Sequence, residues 1–337
     1  VLMKSGAPEG VELKKDWNWR KKREEAQKAG ASTIFYYDKD FQENLEPIKQ
    51  YIENPQLQLH DKGRRKVKST PFFIVSPNIY KRITESSTVD SDYKTNYELK
   101  LQTNSKDIST ENVLGFLEGT DKKDEIVVIT AHYDHIGYDN GEICNGADDD
   151  GSGTVSVLEI AEAFAQAKKE GKGPRRSMLF MTVSGEEKGL LGSRYYTDNP
   201  IYPLENTVVD LNIDMVGRVD EAHKENKDYV YIIGSDKLSQ ELHAINEGVN
   251  STYMNLNMDY TYNDENDPNR FYYRSDHYNF AKNNIPIIFY FNGTHEDYHK
   301  PSDEVDKIEF DVMQKRAQLV FYTAWEISNR ENRLIVD

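Results

Sequence analysis

The stretch EIVVITAHYDHIGYDNGEICNGADDDGSG occupies residues 125–153, and its reading decides how the rest of the chain is interpreted. It opens on Glu125-Ile126-Val127-Val128-Ile129-Thr130, a compact apolar run that predicts a strand buried on both faces. His132, Tyr133 and Asp134 follow at once. Gly137, Gly141 and Gly146 then interrupt any helix, and Asn145 to Gly153 packs the carboxylates of Asp148, Asp149 and Asp150 beside flexible glycines. Beyond that turn Val155, Leu158, Ile160, Ala161, Phe164 and Ala167 recur at helical spacing.

The same texture continues downstream. Strands are predicted at residues 177–182, 208–213, 229–233 and 286–290, separated by helical stretches. This alternation predicts an α/β fold, a mostly parallel twisted sheet flanked by helices on both faces. Metal-competent residues stand just past four of the strands: His132 and Asp134, then Glu186 and Glu187, then Asp214, and finally His299. In open α/β sheets, ligand sites gather outside the carboxyl ends of the strands.

Upstream of residue 93 the pattern is different. A short helix over Trp17–Ala29 ends at Gly30, strands are expected at Ser32–Tyr37 and Pro71–Val75, and Ser76 caps a helix over Asn78–Glu85. Residues 1–92 therefore read as a small α/β module, and 93–337 as the main domain, with the polar run Glu85–Tyr93 between them.

Bulk properties restrict the partners. With 42 basic and 58 acidic residues the chain carries a net charge of −16, which disfavours nucleic acid and anionic membrane surfaces and favours a cationic ligand such as a peptide amino terminus. The single Cys144 excludes an internal disulfide framework and a thiolate metal cluster, so a metal site needs His and carboxylate ligands. No run of eighteen apolar residues is present, so a soluble chain is expected. The opening Val1-Leu2-Met3-Lys4 reads like mid-strand, so upstream residues are expected to have been removed, any export signal among them.

Taken singly, each candidate has an ordinary reading. His132 alone is a hydrogen-bonded polar residue, and Glu186-Glu187 alone is a solvated turn. Asp148, Asp150, Ser152, Gly153 and Glu159 fall at the positions of an EF-hand calcium loop, but the glycine-rich segment before them cannot supply the incoming helix. The ordered set is another matter. AHYDHIG (131–137), NGADDDGSG (145–153), SGEEKGLLGS (184–193), LNIDMVG (211–217), SDHYNF (275–280) and DYHKPSDEVD (297–306) together resemble the M28 family of zinc aminopeptidases, from about Asn112 to Asp306. KREEAQKAGASTIFYYD (22–38) and FFIVSPNIYKRI (72–83) are similar to the protease-associated (PA) domain inserted in some members.

The resemblance implies His132 and Asp214 on one zinc ion, Glu187 and His299 on a second, and Asp149 bridging the pair, with Asp148 and Asp150 as local structural groups. It implies Glu186 as general base, Tyr298 as hydrogen-bond donor to the developing oxyanion, and Asp134 as acceptor for the second N–H of His132, with Asp303 in a similar role near His299. Acceptors for the substrate amine are expected at Glu186, Asp214 and the backbone near Arg274-Ser275-Asp276, with Arg274 and Asp276 as substrate-binding residues. The activity implied is hydrolysis of the amino-terminal peptide bond of peptides with a free N-terminus. Carboxypeptidases, glutaminyl cyclases and inactive receptor-like homologues use the same scaffold, so the reaction itself stays open at this point. The resemblance also implies a periplasmic or extracellular location, and a catalytic domain that normally has further helical segments before the inserted module.

Overall fold

The computed structural model describes residues 1–7, 10, 18–49, 52, 56–60, 70–85, 98, 100, 102 and 104–337. The chain divides into two compact units, Val1–Lys106 and Asp107–Asp337. The boundary expected near residue 92, within the run Glu85–Tyr93, lies outside the described residues.

In the first unit, strands β1 (Leu2–Lys4), β2 (Ile34–Tyr37) and β3 (Phe72–Val75) pair in parallel in the order β1-β2-β3. The opening residues are thus a strand, as their composition predicts. Asn18 caps the helix Trp19–Lys28 by accepting from the N–H groups of Arg20 and Lys21, satisfying donors that a helix start leaves free. Ser76 does the same for the helix Pro77–Glu85 through the N–H of Ile79. Ile34, Tyr36 and Val75 form its buried apolar residues.

The second unit is built on β4 (Val113–Leu117), β5 (Lys122–His132), the hairpin β6 (Gly137–Asp139) and β7 (Glu142–Cys144), β8 (Arg176–Val183), β9 (Thr207–Ile213), β10 (Tyr229–Ile233), β11 (Asn257–Asp259) and β12 (Ile287–Phe291). Seven of these form one sheet in the order β11-β10-β12-β9-β5-β8-β4. Its centre, β12-β9-β5-β8, is parallel throughout, while β10 and β4 run antiparallel to their neighbours β12 and β8.

Side chains on a strand alternate between faces, so a strand buried on both sides is mostly apolar and its polar residues must pair, as Thr130 does with Asp210 and Asn212. That is why the central runs lack polar alternation. Along β5, Val127 and Ile129 enter the core beneath the helices Gly153–Lys169, Gln240–Val249 and Phe310–Asn329, while Ile126 and Val128 enter the opposite core with Tyr196 and Phe280. Phe164, fully buried on the first face, lies 5.1 Å from the ring of Phe321, 5.5 Å from Trp325 and 5.9 Å from Phe180. Phe164→Ala leaves a void that these rings cannot all collapse into, and is expected to cost about 3–5 kcal/mol of stability, measured by urea unfolding.

Parallel order places the carboxyl ends of β5, β8, β9 and β12 on one edge of the sheet. Arg316 fixes the chain leaving that edge. Fully buried on the helix Phe310–Asn329, it donates to the carbonyls of Val216, Arg218 and Tyr229 at 2.7–2.8 Å, just beyond Asp214.

Candidate metal centre

The acidic turn after β7 is held by its own flanking carboxylates. Asp150, buried, accepts through Oδ2 from the backbone N–H of His132 at 3.1 Å, and through Oδ1 from those of Gly153 at 2.9 Å and Met215 at 3.0 Å. It therefore fastens β5 to the exit of β9. A Cβ at Gly153 would collide with the Asp150 carboxylate, so glycine is required there. Asp148 accepts through Oδ1 from Gly217 N–H at 2.6 Å and from Ser152 Oγ at 2.9 Å, and its Oδ2 lies 3.1 Å from His295 Nε2. Both are structural groups, as expected, but they span the sheet rather than acting locally. With their oxygens committed this way, they do not form a calcium loop.

Asp149, between them, is aimed elsewhere. Its Oδ1 lies 3.3 Å from His132 Nε2 and its Oδ2 3.1 Å from His299 Nε2, so its two oxygens face two different imidazoles. Asp214 Oδ1 completes the first group at 3.7 Å from His132 Nε2. Glu187 Oε2 stands on the second side, 3.5 Å from His299 Nε2. All five predicted ligands, scattered between residues 132 and 299, are brought together.

A sixth residue joins them. His135 Nδ1 lies 3.0 Å from Glu187 Oε1 and 3.9 Å from Asp149 Oδ2. Two triads have donor atoms within 4.8 Å of one another, His132-Asp149-Asp214 and His135-Asp149-Glu187. Despite these approaches, Asp149 Oδ2, Glu187 Oε1 and both ring nitrogens of His135 are buried without a hydrogen bond. Polar atoms that crowd together without bonding one another are explained by a shared cation, and imidazole with carboxylate is a donor set suited to zinc.

Electrostatics agree. Burial acts against charge on His132, yet Asp214 and Asp149 raise it well above the ordinary imidazole range. Burial acts to raise Asp149, but His132 and His299 hold its carboxyl well below the usual range. In a protein without metal, His132 and His299 are thus driven to supply the positive charge that the carboxylates demand. Glu186 behaves oppositely: burial, opposed by His132 and assisted by Asp214, Asp276 and Glu187, pushes it well above the carboxylate range.

A cavity of about 300 Å³ opens at the centre, lined by Asp149, Glu186, Glu187, Asp214, Tyr298 and His299 and walled by Met215, Phe271, Phe289 and Phe291. Tyr298 stacks on the ring of His299 with centroids 3.8 Å apart, and its hydroxyl accepts from Arg274 Nη2 at 3.3 Å. Arg274 is exposed at the rim, against the face of Phe271. Met215 and His299 both adopt left-handed backbone, with φ of 59° and 58°, a conformation that recurs in non-glycine residues at functional sites.

Three expectations are corrected. The Asp276 carboxylate cannot meet a substrate amine: it is fully buried, accepts from Ser193 Oγ, and burial pushes it up to about 7. The second N–H of His132 goes to the backbone carbonyl of Asp134 at 2.8 Å, while the Asp134 carboxylate is 3.8 Å away and accepts instead from the N–H of Glu186 at 3.1 Å. Asp134 therefore orients two functional residues, through two different atoms. Asp303 accepts from the N–H groups of Asp148 and Asp149 at 3.1–3.2 Å rather than orienting His299.

Residues 112–324 match the model of a family described as Peptidase family M28. Aminopeptidase YwaD of Bacillus subtilis is 24% identical over 94% of this chain and 62% of its own length. Leucine aminopeptidase 1 of Penicillium rubens is 30% identical over 61% of this chain and 53% of its own. The chain thus spans 62% or less of the length of these curated relatives. Among solved structures, BSAP, a zinc aminopeptidase from Bacillus subtilis, shares the fold with a TM-score of 0.53 at 19% identity, covering 95% of this chain and 69% of that one. No helix among the described residues is long and apolar enough to cross a membrane.

Proposed function

The chain belongs to peptidase family M28, and from that premise we propose that it is a two-zinc aminopeptidase that removes amino-terminal residues from peptides. The observation that carries this reading is Asp149, whose two oxygens face histidines on opposite sides. His132 and Asp214 would hold one ion and Glu187 and His299 the other, with Asp149 shared between them. Bound zinc supplies a Lewis acid and lowers the pKa of a water from about 16 towards about 7.

The remaining chemistry belongs to side chains. Glu186 lines the cavity next to the ligand Glu187, and its raised affinity for a proton suits it to take one from the attacking water and pass it to the departing amine. Its backbone is steadied by Asp134. Because the Tyr298 oxygen accepts from Arg274, its own proton is free to point at the carbonyl oxygen as negative charge develops there. Glu186 and Asp214 are the carboxylates within reach of the free amine of the substrate. Met215, Phe271, Phe289 and Phe291 form a wall suited to an apolar first side chain.

In this reading residues 1–92 form a PA-like accessory domain and residues 93–337 the catalytic domain of a protein that works in the periplasm or outside the cell. A panel of aminoacyl anilides, their N-blocked versions and an N-terminal glutaminyl peptide, with and without chelator, tests the activity. Leucyl and phenylalanyl anilides should be cleaved, blocking the amine should abolish cleavage, and chelator should do the same. Cleavage of blocked substrates alone, or cyclisation of the glutaminyl peptide without anilide hydrolysis, would refute it.

A further inference from the structure

We infer that a cavity at the amino ends of β9 and β12 binds a free amino acid with an apolar side chain. This cavity lies on the edge of the sheet opposite the metal centre. The seven residues of β9, from Thr207 to Ile213, span the two edges, about 20 Å at ~3.3 Å per residue. Binding there requires nothing of the peptidase chemistry proposed above.

The cavity measures about 290 Å³. Drug-sized ligands occupy roughly 300–1,000 Å³, so the occupant is small. Leu204, Val208, Ile285 and Pro286 supply an apolar lining, and Val208 and Ile285 belong to the packed cores on either face of the sheet, which makes that lining rigid. Two opposite charges, Arg333 and Glu205, line the same space. Arg333 Nη2 donates to the carbonyls of Glu205 at 2.7 Å and Thr207 at 2.8 Å, while its Nε and Nη1 make no hydrogen bond among the described residues. The segment carrying it is held in turn by the N–H of Ile335 on Glu241 and that of Asp337 on the carbonyl of Leu238, both at 3.0 Å.

In a chain of net charge −16, Arg333 pairs with no carboxylate among the described residues, and Glu205 pairs with no cation, although its own carbonyl holds the arginine. Opposite charges that share a cavity without meeting each keep a place for the partner that a zwitterion brings. A phosphate would suit Arg333 and be repelled by Glu205, and a diamine the reverse. An α-amino acid carries its carboxylate and its ammonium on one carbon, and the apolar lining selects its side chain. Fastening the carboxyl-terminal segment is the competing explanation of Arg333, but it leaves Glu205 without a role.

Equilibrium binding of labelled leucine to the full, zinc-loaded chain tests the site, with leucinamide and N-acetyl-leucine as ligands that each lack one of the two charges. Leucine should fill one equivalent per chain that both Glu205→Gln and Arg333→Gln weaken by about 10-fold or more, and the two analogues should bind there at least about 10-fold more weakly. Hydrolysis of leucyl anilide by both variants should stay within about twofold of wild type, since neither residue lines the catalytic cavity. Leucine binding unchanged in Glu205→Gln overturns the inference, even if Arg333→Gln weakens it, because Arg333 then only holds the terminal segment. Leucine that binds solely by competing with the anilide, or N-acetyl-leucine that binds as tightly, overturns it as well. A wild type that binds leucine as expected yet cleaves no anilide would instead sink the peptidase reading and leave this site standing.

Discussion

Glu186→Gln is expected to lower kcat by about 10²–10⁴-fold while leaving both ions in place. The amide has the size and reach of the carboxylate, so packing around the cavity is preserved, but it cannot accept a proton at any accessible pH. Glu186 lies outside both ligand triads, so zinc uptake should be that of wild type. On the proposed assignment, the surroundings favour this acid over its neighbour as base. Burial and the facing carboxylates of Asp214, Asp276 and Glu187 all favour the protonated form of Glu186, whereas Glu187 points at His299 and His135. Steady-state kinetics combined with zinc analysis checks the prediction: full turnover refutes the base assignment, and lost zinc would make Glu186 a ligand.

Asp149→Asn should be more damaging, because it acts on both ions at once. The amide keeps one oxygen as a donor and turns an NH2 towards whichever histidine its second oxygen faced, exchanging an anionic ligand for a repelling donor. Fewer than two zinc ions should remain after dialysis, and activity should fall at least as far as in Glu186→Gln. The fold should survive. The backbone of the acidic turn is held by Asp303 from one side and by the carboxylates of Asp148 and Asp150 from the other, none of which needs the Asp149 side chain. Circular dichroism matching wild type, together with reduced zinc, separates a ligand from a structural residue.

Much of this was legible in the sequence where burial writes a strong pattern. The central strands β5, β8, β9 and β12 carry apolar runs because both faces are covered, and they fall within a few residues of the predicted runs. The edge strand β4 escaped notice although its sequence is apolar, because it is only five residues long, has Gly115 at its centre and buries none of its residues. The three-residue strands of the hairpin β6-β7 are too short to show a period. At the site, residues that directly follow strands were found because the strand ends locate them. His135 was missed although it lies three residues after His132, since its approach to Glu187 depends on the left-handed turn at Gly146 and on a chain segment some fifty residues away. Asp276 was misplaced for the same kind of reason. Its partner Ser193 lies on another helix, and only their meeting reveals that the carboxylate points inward. Spacing identifies chemistry-bearing residues, while the side that each one faces is set by contacts between distant elements.

The most direct measurement is the number of zinc ions held by the purified, folded chain after it has been stripped, reloaded and freed of excess metal. Mass spectrometry of the metal content should return two per chain, and crystals of the loaded protein should show both anomalous peaks against the Asp149 carboxylate. A chain that folds normally yet holds no zinc, or a single ion lying away from Asp149, would contradict the account.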